Sequence, residues 1–358
     1  MADRYWVLGT GTWDATTTTN WSASSGGAGG ASVPTASDNV FFDANSNVGV
    51  TAFTVTMANT PRVCNDFTAA GLDGVMTLAG TSIGLTVSGS LTFQATNFTR
   101  TYDGITTFNA TTTGKTITTN GINFGGAVTF NGVGGAWALQ TAVKVSNATT
   151  LTNGTLDLNG KTLTAVIRFA TATGTKNITF NGGTLISSIS SVTAFNNAAP
   201  TNFTTTAGTG TGTISMTSSG TKTFVGGGST YNCTLNQGGA GALTITGSNT
   251  FSNITNTRKS TSATSILFTA GTTNTFTDWN ASGESTRLLT IGSVTAASHT
   301  LSKASGTVSA DFLSVSRSSA TGGAAWYAGA NSTDGGNNSG WIFTAPPSGS
   351  NSNFLMFF

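Results

Sequence analysis

The stretch that most constrains the fold of this chain is LTNGTLDLNGKTL, residues 151–163. Within it, the apolar residues Leu156 and Leu158 alternate with the polar residues Thr155 and Asp157. Successive side chains of a β-strand point to opposite faces, so this alternation predicts a strand that buries its leucines and exposes its polar residues.

Two Asn-Gly pairs, Asn153-Gly154 and Asn159-Gly160, bracket that strand. Asn and Gly tolerate the left-handed backbone that a tight corner needs, so each pair predicts a change of chain direction. The unit is therefore strand, corner, strand, corner. Looser copies of this unit recur at residues 129–139, 178–188, 210–224 and 240–251.

Short alternating runs continue every eight to twelve residues from Thr51 to about residue 315, with no helical period between them. Such spacing is typical of an all-β sandwich, barrel or solenoid. A sandwich needs a finite set of strands, whereas a solenoid can repeat because each coil buries its face on the previous one. We therefore predict an all-β, right-handed parallel β-helix over residues 46–317, with about 13 coils of roughly 20 residues and a length on the order of 60 Å.

The composition fits that fold and excludes some partners. Charged residues are only 7% of the 358 residues, while 47 Gly suit corners and 22 Phe supply a core. The 14 basic and 12 acidic residues are too sparse to form a phosphate-binding stripe, so we expect no nucleic acid partner. No run of apolar residues is long enough for a membrane-spanning helix, so we expect no membrane insertion.

Tryptophans cluster on both sides of the repetitive region. The first cluster lies in residues 1–45, an N-terminal capping or attachment segment, and the second in residues 318–345, a C-terminal closing segment. Large aromatic side chains over an end coil would protect its exposed strand edges, and sugar stacking is the alternative role of the N-terminal cluster. The predicted capping residues are Trp6, Trp13, Trp21, Trp326 and Trp341.

Residues 346–358 read as a flexible linker followed by a hydrophobic tail. Pro346, Pro347 and the Ser, Gly and Asn residues after them favour an extended, mobile arm. Adjacent apolar side chains left in water promote aggregation, so the tail needs a place to be buried. We predict that it inserts into a neighbouring subunit or another protein of the same assembly; a plug on its own chain is the alternative. The predicted assembly residues are Phe354, Leu355, Met356, Phe357 and Phe358.

The sequence offers little material for catalysis. His299 is the only histidine and is expected on an exposed face, so triads and histidine metal clusters lack components. Asp278 with Glu284 or Asp311 could supply the two carboxylates of a glycoside hydrolase, although their spacing does not single them out. Residues 332–338, STDGGNN, offer oxygen ligands to calcium but lack EF-hand spacing, and a turn is the favoured interpretation. We therefore predict no catalytic, cofactor-binding or metal-binding residues, and no cofactor.

Two features bear on the compartment. The N-terminal residues show no basic segment followed by an apolar run, so no Sec-type signal peptide is predicted and the chain is expected to fold in a cytoplasm. Cys64 and Cys233 would lie many coils apart in a solenoid, too far for a disulfide. We predict that both are buried thiols.

Four segments carry a resemblance to a known family: RYWVLGTGTWDATTTTNWS (4–22), VPTASDNVFFD (33–43), NGTLDLNGKTLT (153–164) and WYAGANSTDGGNNSGWIF (326–343). In these segments the chain resembles the parallel β-helix repeat proteins of bacteriophage virions, of the tail-fibre, spike and head-fibre or decoration type. Similar coils occur in bacterial β-helical adhesins. The resemblance covers nearly the whole chain and carries over no catalytic residues. It implies a virion protein made in the host cytoplasm that forms a homo-oligomer, often a trimer, with other virion proteins and a host surface glycan as partners.

Three functions remain open at this point. The first is a non-enzymatic virion structural protein, a fibre or surface decoration acting in assembly and host-surface attachment. The second is a tailspike-like polysaccharide-degrading enzyme on the same scaffold, which clustered carboxylates on one face would favour. The third is a cellular surface adhesin. Because paired carboxylates are not evident, we expect the first.

Overall fold

The chain folds almost entirely into short β-strands. The computed structural model describes residues 1–47, 49, 51–189 and 193–347. Within those ranges the only helical element is a 3₁₀ turn at Ala44–Ser46, and no helix is long and apolar enough to cross a membrane. The strands are β1 (Asp3–Trp6), β2 (Gly11–Trp13), β3 (Trp21–Ser22), β4 (Asn39–Phe42), β5 (Phe53–Met57), β6 (Arg62–Cys64), β7 (Phe67–Ala69), β8 (Met76–Ala79), β9 (Leu85–Val87), β10 (Leu91–Thr92), β11 (Phe98–Arg100), β12 (Thr106–Phe108), β13 (Lys115–Thr118), β14 (Val128–Leu139), β15 (Val143–Val145), β16 (Ala148–Asp157), β17 (Thr162–Ala165), β18 (Arg168–Thr171), β19 (Lys176–Thr179), β20 (Thr184–Ser187), β21 (Thr193–Asn196), β22 (Phe203–Thr206), β23 (Thr213–Met216), β24 (Lys222–Val225), β25 (Thr230–Gln237), β26 (Leu243–Thr246), β27 (Thr250–Asn256), β28 (Thr264–Phe268), β29 (Thr273–Phe276), β30 (Leu289–Ser293), β31 (His299–Ser302), β32 (Thr307–Ser309), β33 (Leu313–Val315), β34 (Ser318–Thr321), β35 (Ala325–Tyr327), β36 (Thr333–Asp334) and β37 (Trp341–Ile342).

These strands form a β-solenoid with three sides. Side 1 is one unbroken parallel ladder of thirteen strands, β6, β9, β12, β14, β16, β18, β21, β24, β26, β28, β30, β33 and β36. The predicted parallel β-helix of about 13 coils is therefore confirmed.

Sides 2 and 3 are interrupted. Side 2 is a ladder of β1, β4, β7, β10, β13, β14, β16, β19 and β22, followed by a second ladder that starts at β25 and continues through β27, β29, β31 and β34. Side 3 consists of β2, β5, β8 and β11, then β15, β17, β20, β23, β25 and β27, then β32, β35 and β37.

The coils differ in length, and the ladder of side 2 breaks in the region of the longer coils. The number of residues in a coil is the separation between register partners on adjacent coils. One of the shorter coils runs from Leu235 to Ile254. The longest coil after the first one runs from Phe195 to Phe224 and contains about half as many residues again. The predicted length of roughly 20 residues per coil therefore fits the shorter coils and underestimates the longer ones. Extra residues enter at the corners and loops because the strands themselves must keep their register.

The Asn-Gly pairs mark corners, as predicted. Asn159 and Gly160 both have positive φ, 48° and 70°, and turn the chain from side 2 to side 3. Gly154, with φ of 93°, bends the chain from side 1 to side 2, but β16 continues through this corner instead of ending there. A glycine is needed at 154 because a Cβ there would lie 2.7 Å from the carbonyl oxygens of Gly132 and Gly135.

The interior is a continuous stack of apolar side chains. Leu156 and Leu158 are fully buried, while Thr155 and Asp157 are half-buried on the outer face, which confirms the predicted facing. On side 1, the ring of Phe195 stacks on those of Phe169 and Phe224, with centroids 5.6 and 4.5 Å away. Cys64 and Cys233 are buried free thiols, as predicted, and burial raises the pKa of both.

Aromatic clusters occupy both ends of the described solenoid. Trp6, Trp13 and Trp21 are buried against one another, with Trp21 edge-on to Trp6 at 5.1 Å and to Trp13 at 5.3 Å. The short β3 pairs antiparallel with β1 and lies across its free edge. At the other end, Trp341 packs edge-on against Trp326 at 5.2 Å.

Candidate functional site

A cleft lies where the ladder of side 2 breaks, between β22 and β25. Side-chain hydrogen bonds replace the missing backbone pairs. The backbone N–H of Asn232 donates to Thr205 Oγ1 at 2.7 Å, and Asn232 Nδ2 donates to the carbonyl oxygen of Thr205 at 2.6 Å. Thr205 Oγ1 donates to the carbonyl oxygen of Thr230 at 3.2 Å. At the break, therefore, the Thr205 carbonyl on the edge of β22 is already bonded to a side chain of the next coil.

A buried polar network fixes the loop on the far wall of this cleft. Asn197 is fully buried, and its Nδ2 donates to Ser229 Oγ at 3.0 Å and to Tyr231 Oη at 3.1 Å. Its Oδ1 accepts from Thr171 Oγ1 at 2.6 Å, and Tyr231 Oη donates to the carbonyl oxygen of Gly226 at 2.7 Å. Burial raises the pKa of the Tyr231 phenol, so this group stays a neutral donor.

Two adjoining clefts make up the candidate site, which we call the side-2 groove. The first, at the break, has a volume of about 570 Å³ and the second, beside it, about 310 Å³; both are bordered by Thr204. The first is lined by Pro200, Thr201, Phe203, Thr204, Thr205, Gly227, Gly228, Ser229, Thr230 and Asn232. The second is lined by Thr113, Val133, Gly134, Gly135, Gly154, Thr155, Thr175, Lys176, Asn177 and Thr204.

Lys176 is the only ionisable residue among those that line the groove, and its charge is turned away from it. The side chain is 1% exposed, and Nζ donates to the carbonyl oxygens of Gly174 and Thr201, both at 2.9 Å. Burial lowers the pKa of this amine. The lining residues thus present hydroxyl, amide and backbone groups without an exposed charge.

The prediction that His299 lies on an exposed face is wrong. The residue occupies an inward position of β31 and is fully buried, with its ring stacked on Phe268 at 4.7 Å. Nδ1 lies 2.9 Å from Ser293 Oγ, and Nε2 has no hydrogen-bond partner among the described residues. Burial lowers the pKa of His299 to about 4. The residues on either side of His299 are polar, so the sequence did not show that His299 occupies an inward position of its strand, where an apolar residue is expected.

The three carboxylates considered for acid-base chemistry are engaged in three separate local contacts. Asp278 faces Lys303 at 4.0 Å, and Glu284 faces Arg287 at 3.4 Å. Asp311 accepts hydrogen bonds from the backbone N–H and the side-chain amide of Asn331, at 3.0 and 2.8 Å.

The loop at 332–338 bonds to itself. Asp334 Oδ1 accepts from the backbone N–H of Gly336 at 2.9 Å and from Asn338 Nδ2 at 2.6 Å. Across residues 1–347, leaving aside the five that are not described, no three His, Cys, Asp or Glu side chains converge as a metal site would require. The predicted assembly residues 354–358 lie outside the described residues.

A glycine triplet borders the first cleft. Gly226-Gly227-Gly228 follows β24, Gly227 and Gly228 adopt φ of 64° and 73°, and these two residues line the cleft. Glycine-rich corners also occur away from the groove, as at residues 238–241, so the triplet by itself does not indicate a groove.

The fold and the groove define a three-sided parallel β-solenoid with a neutral, hydroxyl-lined groove on one side. Comparison of the chain with protein families, curated proteins and solved structures gave no match.

Proposed function

We propose that this chain is a non-enzymatic structural protein of a bacteriophage particle, a β-helical fibre or surface decoration that acts in assembly and host-surface attachment. The observation that carries the proposal is the unbroken ladder of thirteen strands on side 1. With strands about 4.8 Å apart, such a ladder makes a stiff rod of roughly 60 Å. A stiff rod with a hydroxyl-rich exterior suits a protein that extends from a surface.

The chemistry of the outer surface also supports a structural role. Asp278, Glu284 and Asp311 are held in separate contacts, and His299 is buried. Acid-base hydrolysis of a polysaccharide needs two carboxylates that flank one bond. The enzyme alternative would require two of these carboxylates, each of which is held by a partner of its own, to flank one bond.

The direct test is the copy number of the protein in purified phage particles, measured by quantitative mass spectrometry and by immunogold labelling of intact particles. A fixed number of copies in successive preparations supports the proposal. Absence from the particles, or a copy number that varies with washing, would contradict it. Incubation with capsule and lipopolysaccharide preparations should release no oligosaccharide, and cleavage abolished by one Asp→Asn change would favour the enzyme alternative.

We propose that the tail at 354–358 serves assembly, with a homotrimer as the expected state. Burying each of these apolar side chains yields roughly 1.5–3 kcal/mol, against a backbone entropy cost of about 1–2 kcal/mol per ordered residue, so a surplus of a few kcal/mol over the five residues would hold two chains together. Deleting residues 349–358 should abolish the oligomer or particle attachment and leave the melting temperature unchanged, as measured by analytical ultracentrifugation and thermal unfolding. Unchanged assembly with a lower melting temperature would instead identify the tail as a plug on its own chain.

A further inference from the structure

The side-2 groove runs along the solenoid axis across several coils. Its lining includes Thr155, Asn177 and Thr204, which are register partners on the consecutive strands β16, β19 and β22. From Thr113, beside β13, to Asn232 in β25, the lining residues span six coils. Five steps of about 4.8 Å give a groove roughly 24 Å long. A site of this shape fits an extended chain better than a compact molecule.

The charge of the groove limits what that chain can be. The only ionisable lining residue, Lys176, directs its amine into two carbonyl oxygens and is buried. Nucleic acids and acidic polymers need Lys or Arg side chains that face their anionic groups. The groove therefore favours an uncharged ligand.

The hydrogen bonding of the groove argues against an added peptide strand. A peptide that extends a sheet must pair with free backbone groups on a strand edge. At the break, the carbonyl oxygen of Thr205 already accepts from Asn232 Nδ2, and Thr205 Oγ1 already bonds the N–H of Asn232 and the carbonyl oxygen of Thr230. A ligand that supplies its own donors and acceptors as hydroxyl groups does not need an open edge.

The polar groups of the groove are held in fixed positions. Asn177 Oδ1 accepts from Thr204 Oγ1 at 2.9 Å and from Thr206 Oγ1 at 3.2 Å, and Asn177 Nδ2 donates to Thr179 Oγ1 at 2.9 Å. Thr204 and Thr206 are exposed, so their hydroxyl oxygens keep lone pairs for a ligand. Fixed partners lower the entropy that is lost on binding.

Apolar surface accompanies these hydroxyls. Val133 is 70% exposed at the second cleft, and Pro200, which is half-buried, lines the first. Gly134, Gly135 and Gly154 leave the floor between them free of side chains. Fixed hydroxyls beside CH surfaces match a sugar ring, which has hydroxyls on its edges and CH groups on its faces.

We infer that the side-2 groove binds a neutral oligosaccharide in extended form, the glycan of the host surface to which the proposed attachment function refers. This inference rests on the proposed function only for the biological source of the glycan, because the binding can be measured on the purified protein.

The test is a glycan array carrying neutral and acidic oligosaccharides, probed with the full chain and followed by titration of the best neutral ligand. Thr204→Tyr, a bulky change at an exposed position of the groove, and Asn177→Ala should each weaken binding at least tenfold. The matched control is Thr107→Val, an outward threonine on the unbroken side 1, which should bind as the wild type does. Thermal unfolding of Thr204→Tyr close to that of the control separates loss of binding from misfolding.

Three outcomes would overturn the inference: no neutral glycan bound, binding confined to acidic glycans and lost at high salt, or neutral binding that Thr204→Tyr leaves unchanged. Particle copy number is measured separately, so the two proposals can fail independently. A protein that is present in particles and binds no glycan refutes the groove assignment alone. A protein that binds neutral glycans and is absent from particles refutes the virion role alone.

Discussion

Side 1 and side 2 are built from the same coils, yet one is an unbroken ladder and the other is interrupted. On side 1, Phe195 pairs with Phe224 across the longest coil after the first one. Although this coil is longer than the others, the pairing of β21 with β24 shows only a local register shift between Thr193 and Phe195. On side 2 of the same region, backbone pairing stops between β22 and β25, and Thr205 and Asn232 side chains take its place. The solenoid thus keeps its register on one side and admits insertions on another, which is where the first cleft of the side-2 groove forms.

The comparison predicts that the core of side 1 carries the most stability. Phe195→Ala removes a ring stacked between Phe169 and Phe224 and should lower the free energy of unfolding by about 3–5 kcal/mol, since buried Phe to Ala changes leave a cavity. Denaturant unfolding followed by circular dichroism measures the effect. Equal losses for Phe195→Ala and for the outward Asn196→Ala would show that the assigned facing is wrong.

Acid should destabilise the part of side 2 that lies beyond the break, because His299 is buried there and its pKa is lowered to about 4. The unfolded pKa is about 6.5, so the folded state binds fewer protons between these values. The contribution of neutral His299 to the free energy of unfolding is therefore fully present above pH 6.5. It is lost as the pH falls toward 4, by an amount on the order of 3 kcal/mol. The unfolding midpoints of the wild type and of His299→Gln should converge as the pH falls from 7 to 4, because only the wild type has a titrating group at position 299. Parallel curves would contradict the assignment of a lowered pKa to His299.

At the break itself, Asn197→Ala should cost about 2 kcal/mol, because the buried Thr171 hydroxyl, Ser229 and Tyr231 lose an amide partner. Hydrogen exchange should accelerate at residues 226–232 and stay unchanged in β26 on side 1. Uniform acceleration across both sides would mean that the break is not an independent unit, and Asn196→Ala serves as the neighbouring control.

The smallest effect is expected on the outer face of side 1. Thr107 is half-buried and pairs with Thr86 and Thr129 on the adjacent strands. Thr107→Val keeps a β-branched side chain and should change the unfolding free energy by about 0.5 kcal/mol or less. A larger loss, seen by thermal unfolding, would indicate that the hydroxyl column itself stabilises the ladder.

The alternation in the sequence was sufficient to predict the fold class. Leu156 and Leu158 point inward and Asn159-Gly160 turns the chain, because strand facing and left-handed corners depend on local residue types. His299 was misplaced for a related reason: local pattern assigns a face by hydropathy, and a histidine in an inward position contradicts that rule. Only the stacking on Phe268 and the contact with Ser293 show why it is tolerated inside.

The sequence by itself determined that the chain coils into a parallel β-solenoid with about 13 turns, because period-2 alternation and Asn-Gly corners act within a few residues. The tertiary structure alone decided which sides are continuous and where the groove lies. Those properties depend on coils of unequal length, on Asn232 reaching Thr205 across a coil, and on Asn177 meeting Thr204 on the next strand. These contacts join residues from different coils, and no local pattern encodes them.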